Sequence, residues 1–300
     1  MQQAITQINY ASIQSVTSEF FNSIQVKPTT FTAYNKGINF FIDWAKGQNL
    51  TSVTKNDIIN YMNHLQAKGL KPTTINNYIA GLRAFYKFLE IEKDIKDITK
   101  GVKTPKLNKE FKKDALTPAQ VNLLLDNVKD QRDKIILLLG ISCGLRTVEI
   151  ARLDRADLQV KAGRPVLYVL GKGKSEKQAI VIPDELYNQI LTYLSTRTDT
   201  HPALIFATSN RSTGRLNSMS ISRIIKHHFK NIGLNSDRLT AHSLRHTAIT
   251  FSLLSGNSLR ETQDLARHSD IKTTMIYAHD INRMQAQTTN NIMNFIKTNK

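Results

Sequence analysis

Four short segments in the second half of the sequence carry side chains suited to phosphoryl transfer. They read GLRTVE at 144–149, GKG at 171–173, HSLRH at 242–246 and ARH at 266–268, with Tyr277 after the last. Attack on a phosphodiester places extra negative charge on the nonbridging oxygens, and preorganised cationic donors stabilise that charge best. Arginine is always charged and offers paired planar donors, so Arg146 and Arg245 are the candidate clamp for a phosphate, without a metal ion.

Tyr277 is the candidate nucleophile. A phenol has an ordinary pKa of about 10, so this hydroxyl must lose its proton to attack, and a neutral His242 is a candidate acceptor. The leaving 5′ oxygen must instead gain a proton. Lys172, in the loop of a predicted hairpin, is the candidate general acid, a role typically worth about 10² to 10⁴ in rate.

Two further side chains complete the predicted site. His268 is expected to donate a hydrogen bond to the phosphate, and Glu149 to hold the cationic groups in register from the helical face that Arg146 shares. Each of these residues, taken alone, also has an ordinary structural explanation, such as a surface ion pair between Arg146 and Glu149. The hypothesis of a site therefore depends on their combination.

The elements that must position these residues are mostly helical. Leu116-Thr117-Pro118 predicts a helix start, and a short helix should follow from Arg146. The stretches PVLYVL and QAIVIP flank GKGKSEK and predict a β-hairpin with a basic loop. Ser258 and Glu261 have the spacing of a capping box, which predicts another helix start.

The first half contains an internal repeat, KPTTFTAYNKGINFFIDWA from Lys27 and KPTTINNYIAGLRAFYKFL from Lys71. Pro-Thr-Thr followed by apolar residues at helical spacing predicts two similar helices whose stripes face a core. The periodicity fades in the lysine-rich segment 94–113, which we predict to be a linker.

The composition favours a polyanionic partner. Lys and Arg number 41 against 24 Asp and Glu, a net charge of +17, and both halves of the chain are basic. Charge alone leaves DNA, RNA and an anionic membrane surface open. No apolar run predicts a membrane span, and the N-terminus does not resemble a secretory signal, so the chain is expected in the cytosol. The single cysteine, Cys143, is expected to be a plain buried side chain.

Together and in this order, the four segments resemble the tyrosine recombinase family, also called the phage integrase family, in its simple two-domain, Xer-like type. GLRTVE is similar to the family's G-L-R-x-x-E box, and HSLRH to its H-x-x-R-H box. The resemblance implies that the catalytic residues are Arg146, Lys172, His242, Arg245, His268 and Tyr277, with Glu149 in support. The sequence departs from the family at Arg267, where Gly is usual.

The resemblance also implies a fold and an activity. The fold would be mainly α with a small β-sheet: a helical, SAM-like core-binding domain at 1–108 and an α+β catalytic domain at 114–300, forming a C-shaped DNA clamp. The activity would be site-specific cleavage and rejoining of DNA through a 3′-phosphotyrosyl intermediate, with no metal, ATP or other cofactor. A phosphotyrosine ester conserves the energy of the broken bond, so resealing needs no energy source.

The partners implied are double-stranded DNA and further copies of the chain, as a tetramer on two DNA sites in the prokaryotic cytoplasm, at the nucleoid. A terminal helix with apolar positions at 281, 284, 292, 295 and 296 would dock on a neighbouring protomer, or else on its own domain. An accessory DNA-bending or directionality protein would be a further partner. The target sequence stays open, as does a phage, transposon, plasmid or chromosome-dimer role.

Other functions fit the residues less well. A metal-dependent nuclease could use His242 and His246, but Ser243 replaces the glutamate of the zinc protease motif, and we interpret His246 as structural. A P-loop would need Gly at Tyr168. A DNA-binding regulator without activity would leave the polar positions unexplained. A type IB topoisomerase uses similar chemistry and is the nearest alternative.

Overall fold

The computed structural model describes residues 10–50, 52–106, 114–171, 174–207 and 214–285. The chain divides into two compact units, Met1–Glu110 and Phe111–Lys300. The first is helical, and the second is helical with a three-stranded sheet. This agrees with the predicted mainly α fold with a small β-sheet. Among the described residues, no helix is both long and apolar enough to span a membrane.

The first unit contains helices α1 Tyr10–Ser23, α2 Pro28–Gly47, α3 Lys55–Ala67 and α4 Pro72–Lys93. The predicted repeat is α2 and α4, each with Pro at its start after an extended lysine. Their apolar stripes are buried as predicted, apart from Phe31, which is exposed, and Tyr34, which is half-buried. The two helices cross at equivalent glycines: a Cβ on Gly37 would lie 2.7 Å from Tyr78 Cα, and one on Gly81 would lie 3.0 Å from Tyr34 Cα.

The segment that begins the predicted linker is packed onto the first unit. Ile95, Ile98 and Val102 join its apolar core. Arg83 Nη2 donates to the Val102 carbonyl at 2.6 Å, and Asn76 Nδ2 to the Pro105 carbonyl at 3.2 Å. Residues 94–106 therefore belong to this unit, because hydrogen bonds from α4 and apolar packing hold the segment where helical periodicity is lost. Residues 107–113 lie outside the described residues.

The second unit begins with helices α5 Pro118–Asn127, α6 Gln131–Ile141 and α7 Thr147–Ala151. The Thr117 hydroxyl accepts from the backbone of Gln120, which makes it the cap that its sequence predicts. Helix α6 is buried almost all round, so it forms the centre of this unit's core. Gly144, at φ +59°, lets the chain reverse before α7.

Strands β1 Leu158–Lys161, β2 Arg164–Leu170 and β3 Lys177–Val181 form an antiparallel sheet in that order. The β2–β3 hairpin is the predicted one, with Val166 opposite Val181 and Leu170 opposite Lys177. Strand β1 was not predicted, because three of its four residues are exposed and show no alternation. Helices α8 Asp184–Ser195, α9 Ser218–Asn231, α10 Ala241–Leu254, α11 Leu259–Ala266 and α12 Ile271–Gln285 follow.

The last three of these helices pack on one another, with Ile249, Leu253, Ala266 and Tyr277 in their shared apolar cluster. The Ser258 capping box at the start of α11 is present as predicted. Residues 286–300, which carry most of the predicted terminal helix and its docking in trans, lie outside the described residues.

Candidate active site

Arg146 and Glu149 meet at the start of α7. Arg146 is the residue before the helix, in extended conformation, so both its backbone and its side chain can turn back to the first turn. Its backbone N–H donates to Glu149 Oε2 at 2.9 Å, and its Nη1 to Glu149 Oε1 at 2.8 Å. Glu149 is fully buried, whereas the Arg146 side chain keeps a quarter of its surface exposed. The predicted pair is therefore a buried carboxylate orienting a partly exposed arginine.

Arg245 lies on α10 and is 1% exposed. Its Nη1 donates to the Gly144 carbonyl at 2.6 Å, and its Nη2 to the Ala266 carbonyl. These two bonds tie the guanidinium to the turn before α7 and to the end of α11. Burial, together with the charges of Arg146 and Arg267, lowers the pKa of Arg245 to about 9, which leaves the group charged at neutral pH.

A third arginine, Arg267, reaches the same carboxylate. Its Nη2 donates to Glu149 Oε2 at 2.9 Å, and its side chain is 6% exposed. Burial by itself would raise the pKa of Glu149, but Arg267 and Arg146 outweigh it and hold that pKa below its ordinary value. Glu149 is thus an anion between two cations.

His268 follows directly and is held by the first turns of α12. Its Nδ1 is hydrogen-bonded to the Thr274 hydroxyl at 2.9 Å, and its carbonyl accepts from Gln263 Nε2 at 2.9 Å. Burial, reinforced by Arg245 and Arg146, lowers the pKa of His268 to about 4. The ring is therefore neutral at neutral pH and has a single N–H to donate.

Tyr277 lies on α12 and is 7% exposed. Its hydroxyl is hydrogen-bonded to Nδ1 of His246, a residue of α10. The His246 ring packs edge-on against the ring of His242, with centroids 4.5 Å apart. Burial raises the pKa of Tyr277 to about 12, although Arg245 and Arg146 act to lower it.

These side chains border one cavity of about 920 Å³. The structure brings six of the seven predicted site residues to it: Arg146, Glu149, His242, Arg245, His268 and Tyr277. The seventh, Lys172, lies outside the described residues. Gly171 and Lys174, on either side of it in the β2–β3 hairpin, also border the cavity.

Three residues of this site were missed by the sequence reasoning. We interpreted His246 as structural, yet it contacts the Tyr277 hydroxyl; its position four residues after His242, on the same helical face, was the available signal. Thr274, which is hydrogen-bonded to His268, lies six residues after it, a spacing that gives no such signal. Arg267 was noted only as a departure from the family pattern.

Comparison with known proteins decides the family. The sequence model of the phage integrase family matches residues 114–284. The chain belongs to the phage integrase family. The family's N-terminal SAM-like domain matches residues 17–93. Members of this family of tyrosine recombinases are DNA strand-transferring enzymes, so the cavity belongs to an enzyme of that class.

Two curated relatives and one solved structure illustrate the likeness. The chain is 31% identical over 228 residues to tyrosine recombinase XerA of Pyrococcus furiosus, covering 75% of this chain and 76% of that protein. It is 30% identical over 295 residues to tyrosine recombinase XerD of Proteus mirabilis, covering 92% of each. Lambda integrase, solved as a tetramer bound to a Holliday junction, has a TM-score of 0.69, 17% identity and coverage of 88% and 76%. That last likeness concerns the fold.

Proposed function

We propose that this chain is a site-specific recombinase that cuts and rejoins DNA through a covalent bond between Tyr277 and a 3′ phosphate. The observation that carries the proposal is the convergence of the Tyr277 hydroxyl, Arg146, Arg245 and His268 on one cavity. A phenol, two fixed cations and a neutral hydrogen-bond donor are the groups that an attack on a phosphodiester needs.

The two arginines are the phosphate clamp. Arg245 is held rigidly by carbonyls, so its position costs no reorganisation when charge develops on the nonbridging oxygens. Arg146 is oriented by Glu149 and keeps an exposed part that a phosphate in the cavity can approach. His268 adds a neutral donor. In the tautomer that carries its proton on Nε2, Nδ1 accepts from the Thr274 hydroxyl and the Nε2–H serves the phosphate.

The proton of Tyr277 passes to a histidine. As the Tyr277 oxygen bonds to phosphorus, His246 accepts the proton directly. The His242 ring packs edge-on against the His246 ring. The bond from phosphorus to the 5′ oxygen breaks, and Lys172 protonates that oxygen. A 5′ hydroxyl of another strand then reverses the same steps, so neither ATP nor a metal or other cofactor is required.

The partner is double-stranded DNA, which a net charge of +17 favours. Strand exchange needs two DNA sites, and we propose a tetramer for it, as in the lambda integrase complex with a Holliday junction. The terminal helix after Tyr277, with its apolar positions 281, 284, 292, 295 and 296, would dock on a neighbouring protomer. We further propose that an accessory DNA-bending or directionality protein takes part. The protein would act in the cytoplasm of a prokaryotic cell.

A covalent trap tests this function. The Tyr277→Phe variant would first select binding duplexes from a random-sequence pool. Wild-type protein mixed with those duplexes should form a complex that resists denaturation, whereas Tyr277→Phe should bind with the same affinity and form none. An adduct that persists in the variant would place the nucleophile elsewhere and overturn the proposal.

A further inference from the structure

Arg267 occupies a backbone position that few side-chain-bearing residues adopt. It ends α11 in left-handed conformation, with φ 51° and ψ 44°. Glycine is the default residue for this conformation because a Cβ is crowded there. An arginine in this place needs interactions that offset the strain, and its guanidinium supplies them.

The guanidinium joins two separate parts of the second unit. Its Nη1 donates to the carbonyls of Leu265 at 2.8 Å and Cys143 at 3.3 Å. Its Nη2 donates to the carbonyl of Gly144 at 3.1 Å and to Glu149 Oε2 at 2.9 Å. One side chain thus fastens the turn that carries His268 to the loop that carries Arg146.

The contact between Arg267 and Glu149 sets the net charge of the cluster around Arg146. Arg146, Arg245 and Arg267 carry three positive charges against one negative charge on Glu149. Without Arg267 the buried carboxylate would draw more strongly on Arg146, its other charged partner among the described residues. The cluster would then present one positive charge fewer to a phosphate in the cavity.

We propose that Arg267 is a positioning residue that neutralises Glu149 and so leaves the Arg146 guanidinium available to the scissile phosphate. This inference rests on the proposed function. Arg267 borders the cavity, and it acts on the phosphate clamp through Glu149 and the carbonyl of Gly144. Because Arg267 directly precedes His268, its bonds to the Cys143 and Gly144 carbonyls also hold the turn that carries His268.

The test measures adduct formation in a single turnover at saturating DNA, with the duplexes selected by Tyr277→Phe. Arg267→Gly relieves the backbone strain and removes the guanidinium. It should slow adduct formation by about tenfold or more, while DNA affinity stays within about twofold of wild type. Arg260→Ala is the matched control, since it removes the same charge from an exposed position on α11, and it should leave the rate unchanged.

A second substitution distinguishes an effect of Arg267 on Arg146 from a purely structural role in the turn. The double variant Arg267→Gly with Glu149→Gln restores the wild-type net charge of the cluster, because one cation and one anion are lost together. It should form adduct about threefold or more faster than Arg267→Gly alone, a non-additive result expected only of coupled residues. A residue that merely braces the turn predicts a double variant as slow as the single one, or slower.

Three results would overturn the inference. The first is an Arg267→Gly rate close to wild type, and the second is a double variant without rescue. The third is unfolding of both Arg267→Gly and Arg267→Asn, since asparagine tolerates left-handed backbone, which would assign Arg267 to stability alone. If wild-type protein itself forms no adduct, the proposed function fails instead, so the two failures are distinguishable.

Discussion

The Tyr277 hydroxyl is buried beside His246, and burial raises the pKa of Tyr277 to about 12. Without DNA the phenol is therefore protonated and a weak nucleophile. The proton must therefore leave the phenol during the attack on a phosphate held by Arg146 and Arg245. The hydrogen bond to His246 provides the route.

Lys172 can be tested by changing the leaving group. A thiol has a pKa near 8.5, far below that of an alcohol, so a 5′ bridging sulfur departs without a proton. Lys172→Ala should be slow on ordinary DNA, by about 10² or more, and near wild type on a 5′ bridging phosphorothiolate. Single-turnover cleavage of the two substrates measures this.

Arg146→Ala is the matched comparison for that experiment. Its role is to stabilise charge on the nonbridging oxygens, which sulfur substitution leaves unchanged. Sulfur should therefore not rescue it. If both variants are rescued equally, or neither is, Lys172 is a plain phosphate contact and another group protonates the leaving oxygen.

His268 predicts a pH dependence of stability. Its pKa falls from an ordinary 6.5 to about 4 in the folded chain, so the unfolded chain binds a proton first as the pH falls. The stabilisation is complete above pH 6.5 and is lost as the pH falls towards 4. Melting temperature should drop between pH 6.5 and 4.5, and less steeply in His268→Gln.

The control for this measurement is His227→Gln, at an exposed position on α9. Its melting curve should follow that of wild type throughout the window. An identical pH slope in His268→Gln would show that the imidazole is not buried in its neutral form.

At the scale of elements, the crossing of α2 and α4 depends on glycine. A Cβ on Gly37 would lie 2.7 Å from the backbone of Tyr78, which cannot move without shifting α4. Gly37→Ala should lower the free energy of unfolding of the first unit by about 1 to 3 kcal/mol, as measured by urea denaturation.

Gly47 provides the control on the same helix, because no other group lies within 4 Å of the Cβ that a substitution would add there. Gly47→Ala should raise the free energy of unfolding by less than about 1 kcal/mol, through the lower entropy of the unfolded chain. Equal effects of the two substitutions would mean that the helices do not cross at Gly37.

Local signals predicted the elements well, and long-range contacts explain what was missed. Thr117 and Ser258 marked helix starts because a cap depends on residues three positions away. Arg267 could not be interpreted from sequence, because its partners Gly144, in the turn before α7, and Glu149, on α7, are more than 100 residues away in the sequence. The contact of His246 with Tyr277 likewise depends on how α12 packs on α10.

For the whole molecule, the net charge of +17 predicts salt-sensitive binding. Each phosphate contact displaces condensed cations, so affinity for duplex DNA should fall by roughly 10³ or more between 50 and 200 mM salt. Fluorescence anisotropy with a labelled duplex measures the slope. A flat response would mean that the basic residues of the two units do not contact the phosphate backbone.

The most direct test of the central claim is the chemical identity of the trapped complex. Wild-type protein and a selected duplex would be incubated in EDTA without nucleotide, the adduct digested, and the DNA-linked peptide sequenced by mass spectrometry. The account predicts a 3′ phosphate joined to Tyr277 and a free 5′ hydroxyl on the other fragment. Attachment to another residue, a 5′ phosphate linkage, or an adduct formed only with a divalent ion would contradict it.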